Sequence, residues 1–234
     1  MLSDRTRAVL DKLNLDIQPV AVKFLLDPPE WAERTDKVQS LCMYMSEAVK
    51  EDKCICVTAE NDSCVGKAFL GFEPIPPAEG SGAVGVKLGA FYDCSANGRL
   101  YHLVPRLELG CHRCVVFCPL SKCEFDPDVI VMVCDMHQAD KIMRANTYFS
   151  GDLWESKGNV VMSCAWELVY PFSSGKINHM IAGMAFGQKM LKPFPEGMHI
   201  ISIPFQKIRE ITDAMEAMPW EVGGESITEV MDNR

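Results

Sequence analysis

The chain has 234 residues, 48% of them hydrophobic and 24% charged, which is enough apolar surface for a core and too much for a disordered or fibrous polymer. Its 23 basic residues are outweighed by 32 acidic ones, a net charge of −9 that disfavours nucleic acid and anionic membranes as partners. No run of about 18 apolar residues could span a bilayer. The opening MLSDRTRAVLDKL mixes acids and bases where a secretory leader needs a basic end and an apolar centre, so a cytoplasmic protein is expected.

From Ser3 or Asp4 as cap, Val9, Leu10 and Leu13 predict a short amphipathic helix. Val20 to Leu25 then reads as a buried strand, ended by Asp27, Pro28 and Pro29. Behind a cap at Ser40, the spacing of Leu41, Met45, Ala48 and Val49 predicts a second helix, with Cys42 near its start. Lys53 to Thr58 alternates as a strand does, placing Cys54 and Cys56 on one face. Residues 71–89 are rich in proline and glycine. They contain the GxGxxG pattern Gly80 to Gly85, but Pro74, Pro76 and Pro77 stand where a dinucleotide site needs a strand, so a mobile loop, or a lid over a pocket, is expected. Asp128 to Val133 predicts a second buried strand, followed by a helix through Ala139, Ile142, Met143 and Asn146. Val160 to Tyr170 is apolar around Cys164. A turn at Ser173 to Gly175 leads to Ile177–Ala182, and Gly183 to Gly187 bends the chain. His199 to Ile203 predicts the last strand, and Pro204 starts a helix that buries Ile208, Ile211, Met215 and Met218.

Segments 19–27 and 128–135, Cys42–Val49 and Cys164–Val169, and GKAFLG and GMAFG echo one another, which suggests a duplication. The expected architecture is one α+β or mixed α/β domain over residues 1–218, with half-repeats 17–72 and 126–190 around a cleft and a cysteine-rich insert at 94–123. A C-terminal tail, 219–234, is expected to attach loosely.

Eleven cysteines cannot all pair within one chain, and disulfides are rare in a reducing cytoplasm, so free thiols or metal ligands are expected. With fourteen methionines they suggest an anaerobic setting. Cys111, Cys114, Cys118 and Cys123 form the pattern CxxCxxxCPxxxxC. Soft thiolates at such short spacing suit an iron–sulfur cluster, expected to be of the four-iron type by its likeness to the ferredoxin run, or zinc as the alternative. Position 108, where that run has its first cysteine, is Glu108, so Cys123 is expected to complete the set. Cys42, Cys94, Cys134, Cys64 and Cys164 are the more distant candidates. Read as a strand, the same segment instead puts Cys114 and Cys118 on one face and leaves Cys111 outside. His112 could orient or replace a thiolate. Cys54, Cys56 and Cys64 form a weaker group, more often packing than chemistry. His137 is either a loop residue with a chemical role or a simple helix-start residue, while His102, His179 and His199 show no partner at diagnostic spacing. No catalytic signature is present, and the candidate for thiol catalysis is Cys64 near the cation of Lys67.

The stretch PVAVKF, Cys42 opening a helix, Ser63–Cys64 before Gly71, Pro119–Leu120 before Pro127 to Ile130, Gln138 and Cys164 together resemble the archaeal and bacterial family called domain of unknown function 169, over residues 10–215. The resemblance implies a single soluble prokaryotic domain and draws attention to Cys42, Cys64 and Cys164, which match recurrent cysteines of that family. It implies no activity, and the run from Cys111 to Cys123 departs from the commoner pattern. The functional expectation is therefore an iron–sulfur protein of redox role, with a cleft for a small molecule near Cys42, Cys64 and Cys164, and with a redox partner protein and a homo-oligomeric state both open. The alternatives are a non-enzymatic binding module for a tetrapyrrole or other apolar cofactor, and a structural zinc–thiolate protein.

Overall fold

The computed structural model describes residues 2–221. Its centre is a run of short apolar strands that the sequence scatters along the whole chain. In chain order the elements are α1 (Asp4–Asp11), β1 (Val20–Leu25), β2 (Glu33–Arg34), α2 (Leu41–Lys50), β3 (Ile55–Thr58), α3 (Gly66–Phe69), α4 (Pro77–Gly80), α5 (Ala83–Lys87), α6 (Cys94–Leu103), β4 (Cys114–Pro119), β5 (Val129–Cys134), α7 (Met136–Thr147), a π-helical turn (Ala165–Val169), α8 (Tyr170–Ser174), β6 (Asn178–Ile181), α9 (Phe186–Leu191), β7 (His199–Pro204) and α10 (Phe205–Ala217). The strands form one sheet in the order β2-β3-β4-β1-β5-β7-β6. Only β2–β3 is parallel; the other ladders are antiparallel. The chain is a mixed α/β single domain.

Both faces of the sheet are covered, which is why its central strands read as unbroken apolar runs rather than alternating ones. On one face Val22, Phe24, Val115, Phe117, Val131 and Ile200 pack against Leu41, Tyr44 and Met45 of α2 and against Trp166 and Leu168 of the π turn. On the other, Ala21, Val116, Ile130, Met132, Ile201 and Ile203 pack against Leu10 of α1, Ile142 of α7 and Ile208, Ile211 and Met215 of α10. Helix α1 is capped by Ser3, whose hydroxyl accepts from the Thr6 amide at 3.1 Å, and α7 by a reciprocal pair between Asp135 and Gln138, both favoured N-terminal devices. Among the described residues no helix is long and apolar enough to cross a membrane.

Residues 71–89 are not the loose loop expected of so many prolines and glycines, since they hold α4 and α5. The glycines of the GxGxxG pattern serve contact rather than phosphate. A Cβ on Gly85 would lie 2.3 Å from the Asn97 amide, and one on Gly82, at φ 82°, would lie 2.1 Å from the Cys94 carbonyl. Small residues there let α5 lie directly on α6. At the other end, the expected tail begins firmly docked: Arg144 donates to the carbonyls of Pro219 and Trp220, and the Trp220 indole N–H donates to Met215. The rest of that segment, 222–234, lies outside the described residues.

Candidate functional site

Cys42 lies in the first turn of α2. Its cap residue, Ser40, makes no side-chain bond to the helix backbone and instead sets its hydroxyl 3.4 Å from the Cys42 sulfur. Cys64 follows a turn held by Asp62, whose Oδ1 accepts from the Cys64 amide at 2.8 Å, the local bonding that aspartate favours in turns. Cys164 immediately precedes the π-helical turn, two residues after Met162, which sits at a positive φ of 56°. Both a π turn and a non-glycine residue in that region are costly and cluster at working sites.

These three cysteines, distant in sequence, line one cavity of about 300 Å³. Its walls also include Gly66, Met162 and Phe186, and α4 to α6 cover it with Glu79, Val84, Leu88, Asn97 and Tyr101. The proline- and glycine-rich segment thus contributes a cover. The two GxAF segments meet here as well, through Gly66 and through Ala185, Phe186 and Gly187. Gly66 leaves room for the thiol: a Cβ on it would stand 2.9 Å from the Cys164 sulfur and 3.4 Å from Asp62 Oδ2. A groove of about 460 Å³ beside Lys50, Lys192 and Glu196 contains none of the cysteines.

The cavity keeps its thiols protonated. Burial pushes Cys42 up to about 12, with Glu167 and Cys64 adding to the rise. Cys164 is raised by burial and then by Cys64, Asp62 and Cys42, so the three groups feel one another. Cys64 is also raised, chiefly by burial, and the Lys67 ammonium pairs with Glu73 at 3.2 Å, both of which weigh against an activated thiol. Two acids nearby are perturbed the same way. Burial raises Asp62 to about 6 against backbone hydrogen bonds from Cys64 and Lys67, and it raises Glu167 to about 7, whose Oε2 has no hydrogen-bond partner.

The cysteine run is arranged differently from what its spacing suggested. Cys114 to Pro119 is strand β4, in the interior of the sheet. Cys114 and Cys118 therefore share a face, but four residues of strand separate them by roughly 13 Å. The register Ile55↔Phe117 sets Cys54 opposite Cys118, and the two are joined in a disulfide, against the expectation of thiols alone. The Cys114 thiol donates to the Leu25 carbonyl at 3.6 Å, and its closeness to Cys56 raises its own pKa and lowers that of Cys56. The Cys123 thiol donates to the Phe125 carbonyl at 3.2 Å, and Arg7 holds that turn by donating to the carbonyls of Leu120 and Cys123. Cys111 lies 3.1 Å from His112, whose ring packs against Phe24 and Phe172 on the other side of the sheet. Cys111, Cys114, Cys118 and Cys123 do not meet at one point. As a set they do not fit a single four-iron centre or a zinc tetrahedron, because a strand spreads its side chains along a line and a metal needs them around a point. Among the described residues no three His, Cys, Asp or Glu side chains stand together as a metal would require.

The chain matches the family described as Uncharacterised ArCR, domain of unknown function 169, over residues 9–214. It belongs to that family. A relative, an uncharacterized protein of Methanocaldococcus jannaschii, is 26% identical over 220 residues, covering 92% of this chain and 94% of the relative. No solved structure matches.

In this member of the domain of unknown function 169 family, two buried acids behind the cleft escaped sequence reasoning. Asp62 stands two positions before Cys64, and its turn-forming role concealed its burial. Glu167 lies in an apolar segment, where a lone acid is itself a signal of a buried site. Two further histidines are also neighbours: His179 Nε2 lies 2.7 Å from His199 Nδ1 with the rings stacked. They are diagonal cross-strand residues of β6 and β7, a relation that sequence spacing does not report. His137 is exposed in the first turn of α7, and Cys94 is exposed at the start of α6.

Proposed function

We propose that this protein is a binding module for a compact, largely apolar small molecule, held in the cleft between Cys42, Cys64 and Cys164. The observation that carries this reading is the convergence of three sequence-distant cysteines and both GxAF segments on one covered cavity. Enclosed, mostly apolar pockets with a few polar groups are the common form of ligand sites, and about 300 Å³ is at the small end of their range. That size favours a compact ligand over a tetrapyrrole macrocycle. The protonated state of the thiols supports binding over nucleophilic catalysis, which needs a thiolate.

The test uses the neutral fluorophore N-phenyl-1-naphthylamine with the full chain. Saturable fluorescence enhancement is expected, and Val84→Trp, which fills the cavity from its partly exposed cover, should abolish it. Equal enhancement in the variant, with unchanged circular dichroism, would place the dye elsewhere and remove the reading.

A further inference from the structure

We infer that the ligand of this cleft is a trivalent organoarsenical, an apolar group carrying one arsenic(III) centre that bonds the sulfurs of Cys64 and Cys164. This rests on the binding-module reading and adds the chemistry of the ligand's head.

The lining is rich in sulfur and poor in charge: Cys42, Cys64, Cys164, Met162 and Met190 border the cavity, with Glu79 but no lysine, arginine or histidine. Sulfur donors select soft, thiophilic centres over hard ions. Zinc wants four donors around one point, and among the described residues no three candidate ligands stand so. An arsenical with one carbon substituent needs only two, since its third bond goes to carbon. Cys64 and Cys164 are the pair that fits. The Cys164 sulfur lies against Gly66, two residues after Cys64, where a Cβ would stand 2.9 Å from it, and after burial the largest influence on the Cys164 thiol is Cys64. The Cys42 sulfur is set instead beside the Ser40 hydroxyl, at 3.4 Å. Cys64 is half-buried and Cys164 only 7% exposed, so the arsenical meets the outer thiol first and the inner one closes the chelate as an intramolecular step. The chemistry suits protonated thiols. An arsonous acid, with two hydroxyls on arsenic, condenses with two thiols: two As–S bonds replace two As–O bonds, each thiol proton leaves in water, and neither arsenic nor sulfur changes oxidation state. The product is neutral, so no charge is buried. Its organic group faces a wall of Val84, Leu88 and Phe186. The other neighbouring thiols, Cys56 and Cys114, are 1% and 0% exposed and lie inside the core between sheet and helices.

The probe is phenylarsine oxide, which hydrates to such an acid, titrated into the full chain in buffer free of thiols. A one-to-one adduct is expected by intact mass, together with displacement of the naphthylamine dye, reversal by the dithiol dimercaptopropanol and no reversal by excess mercaptoethanol. Phenylarsonic acid, the pentavalent compound with the same ring, should not compete. Losing one arm of the chelate in Cys64→Ser or Cys164→Ser should weaken the arsenical by about a hundredfold or more while dye binding stays in place, whereas Cys42→Ser should change it little. Cys64 is the more exposed of the pair, so a Cys64→Ser chain with unchanged circular dichroism decides the matter if Cys164→Ser fails to fold. An adduct that persists in the serine variants puts arsenic on other thiols and overturns the inference, as does a native chain that binds the dye but forms no adduct; the cleft reading then stands. With neither dye binding nor adduct, both fall. An adduct that needs Cys64 and Cys164 in a chain that ignores the dye upholds the arsenical and removes only the broader reading.

Discussion

The sulfur of Cys164 rests on the bare backbone of Gly66, so closely that a methyl group on that glycine would stand 2.9 Å from it. Gly66 begins the short helix α3, where alanine should gain up to about 1 kcal/mol in helix propensity. Overpacking a buried contact costs about 1–3 kcal/mol, so the steric term decides the sign. Gly66→Ala is expected to lower stability by about 1 kcal/mol in urea denaturation, and Cys164→Ala in the same chain should restore most of the loss. Additive effects of the two substitutions would show that the contact is not the cause.

Two buried acids set a pH dependence. Asp62 rises from 3.8 to about 6 and Glu167 from 4.5 to about 7, so each prefers its protonated form in the fold. Their contribution is fully present below the unfolded values and is lost as pH rises through the folded ones. Each is worth at most about 3 kcal/mol at one pKa unit per 1.36 kcal/mol. The ligand-free protein should therefore lose stability between about pH 4 and pH 7 from these groups. Asp62→Asn or Glu167→Gln should flatten that slope in denaturant titrations at several pH values, and a parallel slope in both variants would contradict the assignment.

Cys54 and Cys118 are bonded to each other, and nine cysteines remain free. Alkylation in denaturant without reductant should modify every cysteine except those two. Reducing the bond should cost about 2–4 kcal/mol, the usual worth of a crosslink closing a loop of this length. The same sample, incubated anaerobically with iron and sulfide, tests the cysteine run directly: a stable visible band lost in Cys114→Ser would restore Cys111, Cys114, Cys118 and Cys123 as ligands.

Asp128 ties β1 to β5 at the middle of the sheet. Its carboxylate accepts from Lys23 Nζ at 2.8 Å and from the Phe24 amide at 2.8 Å. Asp128→Ala is expected to cost about 2–3 kcal/mol, because the amide loses an ionised acceptor. Asp128→Asn keeps one acceptor oxygen and should cost about half as much, measured as the shift of the denaturation midpoint.

The strands were readable wherever an apolar run stood alone, as in Val20 to Leu25 and Asp128 to Val133, because burial on both faces leaves no other pattern. Ile208, Ile211 and Met215 likewise marked the inner face of α10 through their helical spacing. The segment from Gly80 to Gly85 was misread because glycine has the same signature in a loose loop and in a close helix contact. The run from Cys111 to Cys123 was ambiguous for a related reason. Cysteine suits a metal and a buried strand equally, and only the long-range register between β3 and β4 separates the two. Cys42 and Cys164 came to notice through the internal echo and, with Cys64, through family resemblance, whereas the burial of Asp62 needed coordinates, since aspartate in a turn is ordinarily exposed.

Strand β1 lies between β4 and β5, with Val20 opposite both Pro119 and Val131. During synthesis its neighbours therefore emerge about a hundred residues later, roughly 5 to 20 seconds at ordinary elongation rates. Throughout that interval the nascent chain must keep one of its stickiest segments out of wrong pairings. Ribosome-bound fragments that stop before residue 114 should leave Val20 to Leu25 open to proteases, whereas fragments extending well past residue 134 should protect it.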